Sequence, residues 1–181
     1  MIENCESPYA ASKLSNEAQV YSYNKCYDID YIVFRFSNVY GMYDNSDRVV
    51  PLFIRLAKDN KDLEVYGKDK LLDFTYIDDL IEALVIYINK FNDLKNDTYN
   101  IASGIATSIE SVAKIIKQEL NSDSKIIISN NRPGEVIKFV ADLTKLNKKI
   151  TWKSNINIDE GIKKAIKYYI NDGGKNGNES N

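Results

Sequence analysis

Two residues near the start of the sequence have the types and spacing for chemistry. Tyr9 and Lys13 stand four apart in Ser7-Pro8-Tyr9-Ala10-Ala11-Ser12-Lys13, and on a helix that spacing puts them on one face. A tyrosine acts as a base only as phenolate, and a free phenol has a pKa of about 10. Bringing a phenol to about 7 takes about 4 kcal/mol. One lysine cation about 4 Å away supplies about that much at an effective dielectric near 20. Tyr-x-x-x-Lys is therefore a sufficient device for a general base near neutral pH. The same spacing also arises as a surface tyrosine stacked on a helical lysine, in a chain with 13 Tyr.

Other chemistry is excluded by what the sequence lacks. It has no His, which removes Ser-His-Asp triads, Cys-His pairs and His-ligated metals. Lys plus Arg number 24 against 26 Asp plus Glu, for a net charge of −2, so no strong field draws the chain to nucleic acid or an anionic membrane. Cys5 and Cys26 are too few for a four-thiolate zinc site or a disulfide framework and read as reduced thiols of a cytoplasmic protein. No apolar run is long enough to predict a membrane span, and the first residues lack a signal peptide's basic and apolar regions. Asp78-Asp79 read as a helix cap interacting with the dipole, so no metal is expected.

The elements that must position these residues alternate between helix and strand. Ser7-Pro8 opens a helix predicted to run to about Lys25, with Ala10, Ala11, Leu14, Ala18 and Tyr21 as its apolar stripe. Asp30–Ser37, centred on Tyr31-Ile32-Val33-Phe34, reads as a strand buried on both faces. Val39–Arg48 reads as a loop, and a helix from Pro51 runs to about Asp59. Strands are predicted at Leu63–Tyr66 and Leu72–Ile77, then a helix from an Asp78 N-cap to about Phe91. Thr98–Ile101 is a strand, and Thr107 or Ser108 caps a helix to about Leu120. Lys125–Ser129 is a strand, Arg132-Pro133-Gly134-Glu135 a turn, Leu143–Asn147 a short helix and Ile158–Ile170 the last helix. The stretch Lys58–Lys70 reads as solvated surface, and 171–181 as a disordered tail. This alternation predicts α/β architecture. No Gly-x-Gly-x-x-Gly or other Gly-rich phosphate loop occurs among the eight Gly.

Several motifs in register resemble the extended short-chain dehydrogenase/reductase family of NAD-dependent nucleotide-sugar epimerases and dehydratases. They are Ser7–Lys13, Arg35-Phe36-Ser37-Asn38-Val39-Tyr40-Gly41, Asp73-Phe74-Thr75-Tyr76-Ile77-Asp78-Asp79, Tyr99-Asn100-Ile101-Ala102-Ser103-Gly104, and Arg132-Pro133-Gly134-Glu135 with Ala141-Asp142 and Lys145 behind it. The resemblance runs from about Ser7 to Tyr169. The fold it implies is the C-terminal part of a Rossmann-like parallel sheet plus a smaller α/β substrate-binding lobe. Residues 1–48 would end the NAD domain, and 49–170 would form mainly the substrate lobe, with some segments returning to the Rossmann part.

By resemblance, Tyr9 is the base that takes a sugar hydroxyl proton, and Lys13 assists it and binds the nicotinamide ribose of NAD. Phe36 also falls on the cofactor side. Asn38 contacts the nucleotide-diphosphate sugar, expected to be a UDP-sugar, and it lies at the C-terminal end of a buried strand, where α/β ligands sit. Val50 and Phe53 lie beneath the base, with core packing as the alternative, and Val65 and Tyr66 along it, again with core packing as the alternative. Arg132 offers a planar fork for the diphosphate, and Glu135 an acceptor for a ribose or sugar hydroxyl. Many relatives carry a second diphosphate-clamping Arg where this chain has Leu72, and Lys68 or Lys70 would supply charge without that bidentate geometry. In the family the Gly-rich NAD loop precedes the Tyr-x-x-x-Lys by over a hundred residues. The chain is therefore expected to be the later part of an enzyme that is homodimeric through the Tyr9 helix. The alternative is a catalytically inactive substrate-lobe remnant that binds a nucleotide sugar or folds only with a partner.

Overall fold

Ser7 starts the first helix as expected. Its Oγ accepts the Ala10 N–H at 3.1 Å, Pro8 fills the first turn, and α1 runs Pro8–Tyr27 before Asp28 ends it in a left-handed conformation. The computed structural model describes residue 5 and residues 7–132 and 135–171. The tail read as disordered lies outside these residues except for Asn171, which ends the last helix. Pro133 and Gly134 of the expected turn also lie outside them.

The remaining elements are β1 Ile32–Phe36, β2 Asn38–Tyr40, α2 Val49–Lys58, β3 Leu63–Tyr66, β4 Leu71–Tyr76, α3 Ile77–Asn89, α4 Phe91–Leu94, β5 Asp97–Ile101, β6 Ala106–Ser108, α5 Ile109–Glu119, β7 Ile126–Ser129, α6 Thr144–Asn147 and α7 Ile158–Asn171. Among the described residues three small sheets result, in the orders β1-β5, β2-β4-β6 and β3-β7. Every pairing is parallel except β4 with β6. The predicted loop after Ser37 thus begins with a strand. Three residues give too short a period-2 signal to read from sequence, and β2 forms because it pairs with β4 from Asn38↔Phe74 to Tyr40↔Tyr76.

Two apolar clusters form the core. One gathers Tyr40, Phe53, Ile54, Leu63, Val65, Val112, Ile116, Ile162 and their neighbours, where α2 packs against α5 and α7. The other gathers Leu80, Tyr87, Leu94, Tyr99, Ile101, Leu146, Ile150 and Trp152. Each fully buried side chain of this size contributes about 1.5–3 kcal/mol. In α2 the residues Val50, Phe53, Ile54 and Ala57 fall on the buried face, as 3.6-residue periodicity requires.

Four expectations are corrected. The stripe Ala10, Ala11, Leu14, Ala18 and Tyr21 is not a buried face, because α1 buries none of its residues. β1 is half-buried to exposed rather than covered on both faces, because β5 is its one pairing partner among the described residues. Asp78 is not the N-cap of α3: Tyr76 holds that position without a side-chain bond. Asp79 is instead a buried tether whose carboxylate accepts the Ser154 hydroxyl and the N–H groups of Asn155 and Ile156. The stretch 58–70 is not uniformly solvated, since Leu63 and Val65 are core and Lys70 is largely covered.

Polar contacts tie α1 to the rest. Arg35 on β1 donates both Nε and Nη2 to the Glu17 carboxylate, at 2.7 and 2.6 Å. The Tyr21 hydroxyl bonds that of Thr98, and Asn24 donates to Ile29 and Asn96. The Arg35 hydrogen bonds hold the Glu17 carboxyl below its ordinary value of 4.5, against the opposing effect of burial. A carboxyl whose folded pKa is lowered adds stability that is complete above its unfolded value and is lost as pH falls through the folded one. Arg35 is half exposed, so the pair is worth only about 0.5–1 kcal/mol. Glu17→Gln is expected to lower the melting temperature at pH 7 and to have no effect once the medium is well below pH 4.5. Thermal melts of both proteins across that range check it.

Candidate active site

The C-terminal end of β1, strand β2, the start of α2 and the residues Arg132, Glu135, Val136 and Phe139 surround a cleft of about 600 Å³. This is the edge of a parallel sheet at which α/β folds place ligands. Tyr9, Phe36, Asn38, Val50, Arg132 and Glu135 all line it, together with Asp44, Asp47, Arg48, Leu72, Phe74, Val136 and Phe139. Residues spread over 126 positions of sequence are thus brought to one opening, from Tyr9 to Glu135.

Tyr9 reaches the cleft from the first turn of α1, where its ring is 70% exposed. Lys13 lies one turn on, with Nζ 5.4 Å from the Tyr9 ring centroid. Phe36 ends β1 and is half exposed. Asn38 opens β2 and donates its side-chain amide to the Asp73 carbonyl at 3.1 Å, which fixes its orientation at the cleft wall. Of the other expected base contacts, Val50 reaches the cleft wall although it is as deeply buried as Phe53, whereas Phe53 and Val65 do not line the cleft and pack in the core cluster shared by α2, β3 and α5. Tyr66 does not line the cleft. It serves as a platform, with the Arg132 guanidinium carbon 3.7 Å from its ring centroid. The Tyr66 hydroxyl donates to Glu64 at 2.6 Å, and Ser129 donates to the other oxygen at 2.7 Å. These bonds, Tyr66's first, hold the Glu64 carboxyl below its ordinary range.

Two anchors behind the cleft are given no role by the sequence reading, although Asp73 heads one of its motifs. Asp73, fully buried on β4, accepts the Ser103 N–H and hydroxyl on one oxygen and the Gly104 and Ala141 N–H groups on the other. Adjacent Leu71 bonds Ile137 and Phe139 through its backbone, so β4 holds the whole 137–141 segment that forms one wall. The Tyr169 hydroxyl donates to the Gly41 and Asp44 carbonyls and accepts the Asp44 N–H. Burial pushes its pKa up, which keeps it a neutral clamp on the loop bordering the opposite wall. Lys70, expected as a free stand-in cation, is bound to Glu135 at 2.7 Å. Lys68 is exposed on a separate shallow polar depression. Among the described residues no cluster of carboxylates and thiols forms a metal site, and no helix is long and apolar enough to cross a membrane.

Residues 2–102, more than half the sequence, match the model of the NAD dependent epimerase/dehydratase family. The chain belongs to that family. Its fold is the mixed α/β, parallel-sheet fold of Rossmann-like epimerases and dehydratases, as the motif order implied. A putative UDP-glucose 4-epimerase from Methanocaldococcus jannaschii is 32% identical over 169 residues, covering 91% of this chain and 54% of that protein. The dTDP-glucose 4,6-dehydratase 1 of Escherichia coli is 29% identical over 173 residues, covering 91% and 47%. This family member therefore spans about half the length of the curated relatives it matches. Among solved structures, the UDP-glucose 4-epimerase of Thermotoga maritima with UDP-glucose superposes with a TM-score of 0.81 at 27% identity, covering 91% of this chain and 53% of that one. A dTDP-glucose 4,6-dehydratase from Streptomyces venezuelae with NAD bound shares the fold at a TM-score of 0.84 and 22% identity, covering 93% and 52%.

Proposed function

We propose that this chain forms the substrate side and catalytic tyrosine of an NAD-dependent epimerase or dehydratase acting on a nucleotide-diphosphate sugar, with a UDP-sugar as substrate, within a longer enzyme. The observation that carries the reading is the single cleft lined by Tyr9, Asn38, Arg132 and Glu135. Arg132, spread flat on Tyr66, keeps its N–H edge for a diphosphate. Glu135 accepts a sugar or ribose hydroxyl at the same end. Asn38 contacts the nucleotide sugar along the β2 edge, and Val50 forms the apolar floor for the base.

The residues at the other end fit a nicotinamide dinucleotide. The exposed Tyr9 and the half-exposed ring of Phe36 line the cleft at the end of a parallel strand, and Lys13, outside the lining, stands one turn along α1 over the Tyr9 ring. When bound, NAD supplies a hydride acceptor for transient oxidation at the sugar C4. Tyr9 takes the C4 hydroxyl proton and returns it, while Lys13 stabilises the phenolate and holds the nicotinamide ribose. The parent enzyme is read as a homodimer through α1, a helix that buries nothing within its own chain, and as cytoplasmic.

Calorimetric titration with UDP and with NAD, with UDP-galactose conversion followed in the same samples, tests the reading. UDP is expected to bind, and Arg132→Ala to weaken it about tenfold, the worth of one charge-assisted contact. Where conversion is seen, Tyr9→Phe is expected to abolish it and leave UDP affinity unchanged. No UDP binding, or no effect of Arg132→Ala, would overturn the proposal. UDP binding without NAD binding or conversion would assign the chain the substrate side alone.

A further inference from the structure

The Arg132 guanidinium and the Glu135 carboxylate stand three positions apart, joined by a backbone bond from the Glu135 N–H to the Arg132 carbonyl at 3.3 Å. Opposite charges close in sequence often pair with each other, as Glu110 with Lys114 and Glu160 with Lys164 do four positions apart on their helices. Here they do not: among the described residues Arg132 enters no ion pair. The Glu135 carboxylate turns instead to Lys70 Nζ at 2.7 Å. Lys70 is only 13% exposed and Glu135 33%, so this is the most enclosed ion pair among the described residues, and Lys70 itself is not part of the cleft lining. Its backbone is fixed on both sides, by a Gly67 carbonyl and by the ladder that begins at Leu71.

Building on the proposed diphosphate role of Arg132, we infer that Lys70 is a positioning residue that draws the Glu135 charge away from Arg132 and so keeps the guanidinium open to an anion. Without Lys70, Glu135 is left with the charge of Arg132, on which it already acts electrostatically. A carboxylate seated there occupies the N–H edge that a diphosphate needs and repels the incoming anion. Lys70 then contributes to affinity without touching the ligand, and it does so only through Glu135.

That dependence supplies the test. UDP is titrated into the full chain, wild type, Lys70→Met, Lys70→Arg, Glu135→Gln and Lys70→Met/Glu135→Gln, with Arg132→Ala as reference. Lys70→Met is expected to weaken binding about tenfold, close to the Arg132→Ala loss, since both remove one charge-assisted contact. Lys70→Arg is expected to bind as wild type, because it keeps a cation at the same place. The double variant is expected to bind as Glu135→Gln alone does, since Lys70 acts only through the Glu135 charge, an equality that a lysine needed only for local folding would not show. Wild-type affinity in Lys70→Met would overturn the inference, as would a double variant weaker than Glu135→Gln by the Lys70→Met loss, while Arg132→Ala still weakens binding. Failure of the wild type to bind UDP, or of Arg132→Ala to weaken it, overturns the diphosphate reading itself and this inference with it.

Discussion

Asp73→Ala is expected to destabilise the chain by about 4 kcal/mol, the sum of a lost buried anion and the donors it leaves unpaired. The carboxylate has no exposure and accepts from Ser103 twice, at 3.1 and 2.6 Å, from Gly104 at 3.0 Å and from Ala141 at 3.2 Å. Alanine leaves those donors facing an empty site from which water is largely excluded. Asp73→Asn keeps the volume, yet its amide places a donor against the donors on one side, so it too is expected to cost about 2–3 kcal/mol. In a chain of this size about 4 kcal/mol corresponds to roughly 10 °C in melting temperature. Urea unfolding at constant m-value measures the loss. A cost below about 1 kcal/mol would mean that the network is incidental. The consequence reaches the cleft because Ala141 and the neighbouring bonds from Leu71 to Ile137 and Phe139 hold the wall at Phe139. The folded fraction of either variant is therefore also expected to bind UDP less tightly.

Gly161→Ala should be destabilising although alanine is the better helix former. Gly161 lies in the first turn of α7 and faces Tyr40, and a Cβ there would meet the Tyr40 Oη at 2.0 Å and Cζ at 2.8 Å. Ordinary helix propensity favours alanine by about 1 kcal/mol. Forcing a packed core to move costs typically about 1–3 kcal/mol and more when the neighbour is rigid. Tyr40 is rigid: it is 4% exposed and stands edge-on to both Phe74 and Tyr76. The steric cost wins, with an expected net loss of about 2 kcal/mol. Tyr40→Phe removes the clashing oxygen, so Tyr40→Phe/Gly161→Ala is expected to be less destabilised than the two single losses together predict. Denaturation of the four proteins forms the cycle. Strict additivity would show that the contact does not set the cost.

Much of the architecture was legible because its signals are local. Ser7 and Ser108 cap their helices through their own hydroxyls, and β3 lies at Leu63–Tyr66 as predicted. The family was legible for a different reason: ordered short motifs specify it even where single residues do not. The amino-acid types alone also determined that His chemistry is absent and that Tyr9 and Lys13 share a helix face. What the sequence could not decide depended on distant partners. β2 exists because β4 lies beside it. Asp79 reads as a cap until Ser154 and Ile156 arrive from 75 and 77 residues away. Val65 and Phe53 look as suitable for a base as Val50 does, and only the packing of α2 and β3 against α5 decides that, of three buried side chains, Val50 alone borders the cleft. Lys70 reads as a free cation until the chain folds back 65 residues later and sets Glu135 against it. Local sequence fixes which groups are available and how they are spaced along one element. Tertiary structure alone decides which charges are neutralised and which remain open to a ligand, because that depends on distances between segments the chain brings together only on folding.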